Sequence, residues 1–217
     1  MTDTVTPDFI RTRLRDRFHI PIPPQQRRPL DELVLTILSQ NTNDVNRDRA
    51  FNALKVRCPR IEDVRDLPVN ELTRLIRPAG LGPTKSRRIH DLMNDIFEDG
   101  RRGLSDLCTM PSEEGFKYLT SLKGVGPKTA SCVLLFSCGV PAFPVDTHIF
   151  RIAGRLGLLP KGADRVKAHS VLGALFEPEH YLELHLNLIR LGREICRPKR
   201  PDCDRCPLGD RCPSSGA

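Results

Sequence analysis

Apolar residues recur along most of the chain at the three- and four-residue spacing of a helix that buries one face. One such stripe is formed by Leu30, Leu33, Val34, Ile37 and Leu38. The alternating pattern of half-buried strands joined by hairpin turns does not occur. Proline and glycine divide the periodic segments into short pieces. The pattern therefore predicts an all-α protein with about nine or ten helices of about 8 to 15 residues.

Composition and charge narrow the class of partner. The 217 residues include 34 Lys and Arg against 27 Asp and Glu, which gives a formal net charge of +7. This balance favours an acidic partner, and because Arg outnumbers Lys, phosphate is the expected group. A basic surface that is merely solvated is the alternative. The chain has no Trp and two Tyr, too few for an aromatic platform that stacks single-stranded bases, so a duplex is favoured.

Two segments, one starting at Gly80 and one at Gly124, share the pattern of a tight glycine turn between two helices. In the second, Gly124, Val125 and Gly126 form the turn, and Pro127 suits the first position of the next helix. The free N–H groups at such a helix start can bind a phosphate. That contact positions a protein on DNA without reading its sequence. A turn kept for helix geometry alone is the alternative.

Lys128 comes directly after this glycine loop and Pro127, and it lies in the first turn of the next helix. The helix dipole disfavours a cation there by roughly 0.3 to 1 kcal/mol, which favours the neutral amine. An ordinary lysine, with a pKa of about 10.4, needs roughly 4.6 kcal/mol to lose its proton at pH 7. Burial and the dipole together would supply part of that cost. A neutral lysine can form a Schiff base or attack an electrophilic sugar carbon; a simple phosphate contact is the alternative.

Asp146 stands after a proline-rich link and directly before a periodic apolar segment. Aspartate is a favoured N-cap at such a position, and capping alone is a sufficient reason for it. A carboxylate facing Lys128 would also stabilise a developing cation or act as a base. His148, two residues later, is interpreted as a structural or phosphate-contacting side chain rather than a catalyst.

Four cysteines, Cys196, Cys203, Cys206 and Cys212, lie within seventeen residues, with gaps of six, two and five residues. The gaps are rich in proline and charge, so a crosslink rather than an apolar core must fold this segment. Disulfides would need an oxidising compartment, but the N-terminus has no apolar signal segment. Structural zinc usually takes two close cysteine pairs, and only one is present here. An iron–sulfur cluster fits the spacing better, with zinc as the alternative.

The other four cysteines, Cys58, Cys108, Cys132 and Cys138, stand singly and are expected to be buried free thiols. No run of residues is long and apolar enough for a membrane span. We therefore expect a cytoplasmic protein, associated with the nucleoid if the source is bacterial.

The hairpin LKGVGPKTA, the segment VDTHIFRI and the four-cysteine pattern together resemble the endonuclease III family of helix-hairpin-helix DNA glycosylases. The resemblance extends from about residue 27 to residue 212. It implies that Lys128 is the nucleophile and Asp146 the essential carboxylate. It also implies that the four clustered cysteines bind a [4Fe-4S] cluster.

The same resemblance implies two helical domains. A six-helix barrel would comprise 27–137, and a second domain, formed by 1–26 and 138–217, would carry the cluster loop, with the active site in the cleft between them. A damaged base would be flipped out of double-stranded DNA, and Lys128 would attack C1′ of its sugar. The implied activity is a bifunctional glycosylase and abasic-site lyase acting on oxidised or ring-saturated pyrimidines.

Two loops resemble those that enter the duplex in similar proteins. Leu81 matches a wedge residue that fills the gap left by the flipped base; a packed turn residue is the alternative. In the segment LSQNTND, Asn41 takes the place of the inserting glutamine of the family and Gln40 precedes it, so either amide would meet the orphaned base. Thr84 stands where the reactive lysine would fall in this first turn, so Lys85, one position later, is not an equivalent nucleophile.

Lys199 and Arg200 lie between the first two clustered cysteines and are expected to contact the DNA backbone. The cysteine loop is thus interpreted as a scaffold for cations, with a redox role as the alternative. Two other functions remain open. The adenine-mismatch glycosylases usually lack the lysine and carry a further C-terminal domain, whereas this chain has Lys128 and ends five residues after Cys212. A non-catalytic DNA-binding module is the second alternative. A monomer is expected.

Overall fold

The computed structural model describes residues 4–98 and 104–215, and within them it contains helices and no strands. The predicted all-α fold is confirmed. The described residues also form five short 3-10 helices, of which four lie between α-helices and one follows the last of them. Two α-helices, α4 and α5, with 7 and 17 residues, fall outside the expected range of lengths. The α-helices are α1 (Pro7–Phe18), α2 (Pro29–Leu38), α3 (Asp44–Arg57), α4 (Val69–Leu75), α5 (Gly82–Glu98), α6 (Ser112–Ser121), α7 (Pro127–Cys138), α8 (Thr147–Arg155), α9 (Arg165–Leu175) and α10 (Tyr181–Glu194).

None of the helices in the described ranges has the length and apolar content that a membrane crossing requires.

The chain divides into two compact units, one formed by 25–140 and the other by 1–24 together with 141–217. The first, called the hairpin unit below, contains α2 to α7. The second, called the cysteine unit, contains α1 and α8 to α10. These bounds lie close to those of the domains expected from the resemblance, whose assignment stays a prediction.

The core of the hairpin unit is built around α2. Every residue from Leu30 to Leu38 is buried, so this helix is apolar on nearly all sides and forms the centre of the unit rather than a face of it. It packs chiefly against α7, and also against α3 and α5. Because α7 begins with Pro127 and Lys128, the central helix supports the segment that carries the proposed nucleophile.

In the cysteine unit, α10 packs against α1 and α8. Arg15 of α1 donates two hydrogen bonds to the carboxylate of Glu183 on α10, with N–O distances of 2.8 and 2.5 Å. These bonds hold the pKa of Glu183 below its usual value. The ion pair therefore joins the N-terminal helix to residues 168 positions further along the chain.

The expectation that all four isolated cysteines are free buried thiols is wrong for two of them. Cys108 and Cys138 form a disulfide, which ties the end of α7 to the short 3-10 helix Leu107–Thr109. Cys108 is exposed rather than buried. Cys58 and Cys132 are buried and free, as predicted.

Candidate active site and cysteine loop

The turn between α6 and α7 is fixed from inside the hairpin unit. Val125 is buried, and its N–H donates to the carbonyl of Leu122 at 3.0 Å. Gly124 has a φ of +84°, a region that glycine adopts without strain. Gly126 is the N-cap residue of α7 and has extended backbone. A β-carbon at Gly126 would meet nothing within 4 Å, so the space beside this helix start is open to a ligand.

Lys128 is the second residue of α7 and is half-buried. The buried side chains of Thr129 and Ala130 follow it and pack into the unit. Among the residues that the structure describes, none forms a hydrogen bond or an ion pair with the Lys128 amine. The amine therefore stands at a helix N-terminus, beside the open turn, without being committed to an internal contact.

Glu32, which sequence reasoning did not single out, is a buried carboxyl group on the central helix α2. It is 6% exposed, and burial raises its pKa, while the positive charges of Arg27, Arg47 and Lys128 oppose that rise. The hydroxyl of Thr36 donates to it at 3.4 Å. Its carboxylate thus shares the electrostatic environment of Lys128. An acidic residue within the largely apolar segment that forms α2 was the available sequence signal.

Asp146 is the N-cap of α8, in the cysteine unit. Its Oδ1 accepts a hydrogen bond from the backbone N–H of Ile149 at 2.8 Å, and the side chain is half-buried. The backbone before it is anchored by His185, whose Nδ1 lies 2.9 Å from the carbonyl oxygen of Pro144. Capping is therefore one role of Asp146, and it uses one of the two carboxylate oxygens. Lys128 belongs to the hairpin unit and Asp146 to the cysteine unit.

The two loops matched to inserting residues both lie in the hairpin unit. Asn41 and Leu81 are exposed and have positive φ values of 53° and 51°. Gln40 is half-buried, and its Oε1 accepts a hydrogen bond from Arg88 at 2.9 Å. Lys85 is buried and donates to two backbone carbonyls. Burial lowers the pKa of the Lys85 amine, but these bonds leave it little freedom to act as a nucleophile.

The four clustered cysteines are half-buried free thiols in the loop that follows α10, called the cysteine loop. Burial raises the pKa of Cys206 and of Cys212, and the neighbouring thiols add to both rises. The backbone of Gly209 packs tightly against that of Cys203, because a β-carbon at Gly209 would stand 2.9 Å from the carbonyl oxygen of Cys203. The apolar anchor of the loop is Leu208, which is buried.

Two arginines of α8 hold the start of the cysteine loop. Arg151 donates to the carbonyl of Cys196 at 3.0 and 2.8 Å and to that of Gly192 at 2.9 Å. The Nη1 of Arg155 lies 3.2 Å from the Cys196 sulfur and 2.8 Å from the carbonyl oxygen of Arg197. These contacts were not foreseen from the sequence, because the partners are more than 40 positions apart.

Lys199 and Arg200, the predicted cations of this loop, are exposed. Arg200 has a φ of 51°, which places it at a tight bend. His148, interpreted as a structural or phosphate-contacting side chain, lies with its Nδ1 3.1 Å from the guanidinium of Arg151. It is therefore part of the support for the loop.

Whether the cysteine loop fits a metal group depends on the donors and their arrangement. Four free thiols, close enough to influence one another's pKa, provide the donor set of a four-cysteine site. Within the described ranges, however, no three His, Cys, Asp or Glu side chains are arranged to hold a metal ion. Tetrahedral zinc would draw its sulfurs to about 2.3 Å from a common centre. Four cysteine sulfurs are therefore the donors that an iron–sulfur cluster requires. The arrangement of these sulfurs is not that of a site that binds a single metal ion.

Comparisons with known proteins agree on one family. The profile of the HhH-GPD superfamily base excision DNA repair proteins matches residues 34–178. The chain is 38% identical over 194 residues to the putative DNA glycosylase At3g47830 of Arabidopsis thaliana, covering 85% of this chain and 66% of that protein. It is 33% identical over 182 residues to endonuclease III of Sulfolobus acidocaldarius, covering 83% and 79%.

Among solved structures, the chain is similar to a trapped endonuclease III–DNA covalent intermediate in an estranged-adenine complex. The TM-score is 0.83 at 26% sequence identity, and the match covers 96% of this chain and 94% of the other. The fold and the sequence comparisons thus lead to the same group of proteins.

Proposed function

The chain belongs to the endonuclease III family within the HhH-GPD superfamily of base excision DNA repair proteins, and we propose that it is a bifunctional DNA glycosylase and abasic-site lyase. Membership places it among the DNA glycosylases that act on DNA in base excision repair. The proposal adds the lyase reaction, the residues that perform it and the class of base removed.

The observation that carries the lyase proposal is the position of Lys128. Its amine stands in the first turn of α7, directly after an open glycine turn, and no described residue forms a hydrogen bond or an ion pair with it. The similar endonuclease III structure is that of a covalent DNA intermediate. A covalent bond to DNA requires a protein nucleophile, and an amine is suited to attack a sugar carbon.

In the proposed reaction, the damaged nucleotide is flipped out of the duplex at a cost of a few kcal/mol, which is lower for a damaged or mispaired base. The neutral Lys128 nitrogen forms a bond to C1′ as the bond from C1′ to the base breaks, and the base leaves with the proton that the nitrogen loses. Asp146 stabilises the positive charge that develops on the sugar, through the carboxylate oxygen that does not cap α8.

Strand cleavage follows from the same adduct. The lysine nitrogen and C1′ form an imine, with opening of the sugar ring. The imine acidifies the C2′ proton, and its removal expels the 3′ phosphate by β-elimination. Hydrolysis of the imine then releases the lysine. Water is the only co-reactant, so the atoms and charges balance without an oxidant or reductant.

We propose that Cys196, Cys203, Cys206 and Cys212 hold a [4Fe-4S] cluster, because they are four free cysteines within one short loop, the donor set that such a cluster takes. When bound, the cluster supplies crosslinks that fold a segment poor in apolar residues. Arg151 and Arg155 position the loop that contains these cysteines. The exposed Lys199 and Arg200 would then contact the backbone of double-stranded DNA.

We propose that the bases removed are oxidised or ring-saturated pyrimidines.

Two other functions can be distinguished from that of a bifunctional glycosylase. An adenine-mismatch glycosylase would remove adenine without forming a covalent adduct, and a non-catalytic DNA-binding module would remove no base. The uncommitted Lys128 favours the bifunctional enzyme over both. Excision from duplexes that each carry one lesion, with undamaged adenine opposite an oxidised guanine among them, separates the three.

Borohydride trapping on abasic DNA tests the proposed lyase reaction. Borohydride reduces an imine to a stable amine, so the wild-type protein is expected to become covalently attached to the DNA. Lys128→Gln is expected to abolish the adduct. Lys123→Gln is the matched control, because Lys123 is an exposed lysine just before the same turn. Trapping that persists in Lys128→Gln, or that is lost equally in Lys123→Gln, would overturn the proposal.

A further inference from the structure

The link that leads to Asp146 has little backbone support of its own. Residues 139–146 form neither helix nor strand. Within the part of the chain that the structure describes, no backbone group of 141–145 forms a hydrogen bond with another backbone group. Phe143, Pro144 and Val145 are nevertheless buried. A buried carbonyl without a donor is costly, so the donors for this link have to come from side chains.

Two histidines supply donors to the link. Nδ1 of His169, on α9, lies 3.1 Å from the carbonyl oxygen of Phe143. Nδ1 of His185, on α10, lies 2.9 Å from the carbonyl oxygen of Pro144. A carbonyl oxygen can only accept, so Nδ1 of each ring has to carry a proton. Two consecutive carbonyls are thus held by partners 26 and 41 positions further along the chain, and this pair of contacts is called the histidine clamp below.

The ring of Phe143 is fixed by the same two helices. Its centroid lies 5.2 Å from that of Phe176 and 5.2 Å from that of Tyr181, and the ring of His185 meets it edge-on at 6.5 Å. The hydroxyl of Tyr181 donates to the carbonyl of Gly173 at 2.6 Å and so joins α10 to α9. The backbone and the side chain of the link are therefore held by one support.

The position of the Asp146 carboxylate depends on this link. Asp146 comes two residues after Pro144, and Val145 between them is 1% exposed. One carboxylate oxygen accepts from the Ile149 N–H at 2.8 Å, so the backbone before Asp146 determines where the other oxygen stands. A misplacement of about 1 Å in a reacting group can slow a reaction by about a hundredfold.

We propose that His169 and His185 are positioning residues for the reaction, which fix Asp146 by holding the carbonyls of Phe143 and Pro144. Neither imidazole contacts the DNA in this role. The inference rests on the proposed function, because the carboxylate of Asp146 is the group that is positioned. The clamp itself is a property of the fold and can be measured without DNA.

Three replacements at each histidine separate the donor from the rest of the side chain. Leucine fills much of the same space and removes the donor. Asparagine can place its amide nitrogen where Nδ1 stands, whereas glutamine places its amide further out, near the position of Nε2. Tyr181→Phe is the matched control, because it removes a hydrogen bond between the same two helices and leaves both link carbonyls paired.

The first experiment measures hydrogen–deuterium exchange by mass spectrometry in the DNA-free protein. The readout is the peptide that contains the Ile149 amide, which is bonded to the Asp146 carboxylate. His185→Leu and His169→Leu are expected to speed its exchange by about fivefold, the effect of losing one buried hydrogen bond. The asparagine variants and Tyr181→Phe are expected to exchange there as wild type does. Unchanged exchange in both leucine variants would overturn the clamp.

The second experiment measures single-turnover excision from a duplex that carries one lesion. His185→Leu is expected to slow excision at saturating protein by about tenfold or more, while the Kd for the duplex changes by less than about twofold. His185→Asn is expected to restore most of the rate and His185→Gln little of it. Tyr181→Phe is expected to react at the wild-type rate. A loss of rate in Tyr181→Phe equal to that in His185→Leu would show a merely structural role and overturn the inference.

An Asp146→Asn background shows whether the histidines act through Asp146. If they do, His185→Leu slows excision no further in that background, because residues that act through one another are not additive. A tenfold effect that persists there would contradict a positioning role. His169 is half-buried, so its variants decide the question if His185→Leu does not fold.

Failure of the proposed function has a different result. If Asp146→Asn excises the lesion at the wild-type rate, the proposed role of Asp146 is wrong, and the exchange of the Ile149 peptide alone judges the clamp. If Asp146→Asn is slow but His185→Leu and His169→Leu both react at the wild-type rate, the inference is wrong and the proposed function stands.

Discussion

The carboxylate of Asp146 has two tasks that make different demands on the side chain. Capping α8 needs one oxygen that accepts from the Ile149 N–H, and an amide oxygen does this as well as a carboxylate oxygen. Stabilising a positive sugar needs the negative charge. Replacement by asparagine therefore separates the structural role from the chemical one.

Asp146→Asn is expected to leave the free energy of unfolding within about 0.5 kcal/mol of wild type, because asparagine and aspartate cap helices equally well. The single-turnover rate of base excision is expected to fall by about a hundredfold or more. Asp164→Asn is the matched control, since Asp164 caps α9 through the same kind of bond, to the Lys167 N–H at 2.7 Å. Equal rates in the two variants would contradict the proposed role of Asp146.

A second prediction at this scale concerns Glu32. Burial holds its pKa above the usual value, so the folded state retains a proton that the unfolded state has lost as pH rises past about 4.3. The free energy of unfolding of wild type, relative to Glu32→Gln, is therefore expected to decrease with pH from about 4.3 until the raised folded pKa is passed. Urea unfolding at a series of pH values measures it. A difference that increases with pH would mean that the nearby positive charges outweigh burial.

The sequence singled out Lys128 and Asp146 as candidates through local signals, a glycine turn before a helix and a cap before a helix, and the family resemblance implied their roles. His169, His185 and Glu32 were not recognised as parts of the site. Their importance depends on partners brought near by folding, such as the Pro144 carbonyl, 41 positions from His185. No local pattern records such a contact.

Among the elements, α8 links the proposed carboxylate to the cysteine loop. It begins at the Asp146 cap and ends with Arg155, whose guanidinium lies 3.2 Å from the Cys196 sulfur. Arg151, in between, binds the Cys196 carbonyl. A loop with little apolar material is thus fixed by hydrogen bonds from one helix in the same unit.

Arg151→Met is expected to destabilise the cysteine unit by about 2 kcal/mol or more, since it removes charged hydrogen bonds to backbone carbonyls. It is also expected to lower the iron bound per protein on purification. Arg197→Met is the control, because Arg197 is an exposed residue of the same loop and its side chain forms no hydrogen bond or ion pair with the residues that the structure describes. Equal iron content and thermal midpoint in the two variants would contradict the support role of Arg151.

The helices were the most predictable elements, because apolar residues recur at helical spacing along most of the chain and proline and glycine mark where the segments end. The sequence did not reveal that α2 is buried throughout from Leu30 to Leu38, since a stripe on one face and a central position give similar patterns. The disulfide between Cys108 and Cys138 was missed for a related reason. The two cysteines are 30 positions apart and share no spacing motif with any other cysteine.

For the whole molecule, the net charge of +7 is consistent with binding to a polyanion. The affinity for undamaged duplex is expected to fall linearly with salt on a double logarithmic plot. Replacing Lys199 with Ala and Arg200 with Asn is expected to reduce the magnitude of that slope by about 2 in the double variant. Asparagine is chosen at position 200 because it tolerates the positive φ there. An unchanged slope would show that these two cations do not contact phosphate.

The central claim is that the nitrogen of Lys128 bonds to the sugar of the damaged nucleotide. It is tested most directly by trapping the protein on abasic DNA with borohydride, digesting the adduct with protease and nuclease, and locating the modified residue by mass spectrometry. The account predicts a reduced sugar remnant on Lys128. A trapped remnant on any other residue, with Lys128 recovered unmodified, would contradict it.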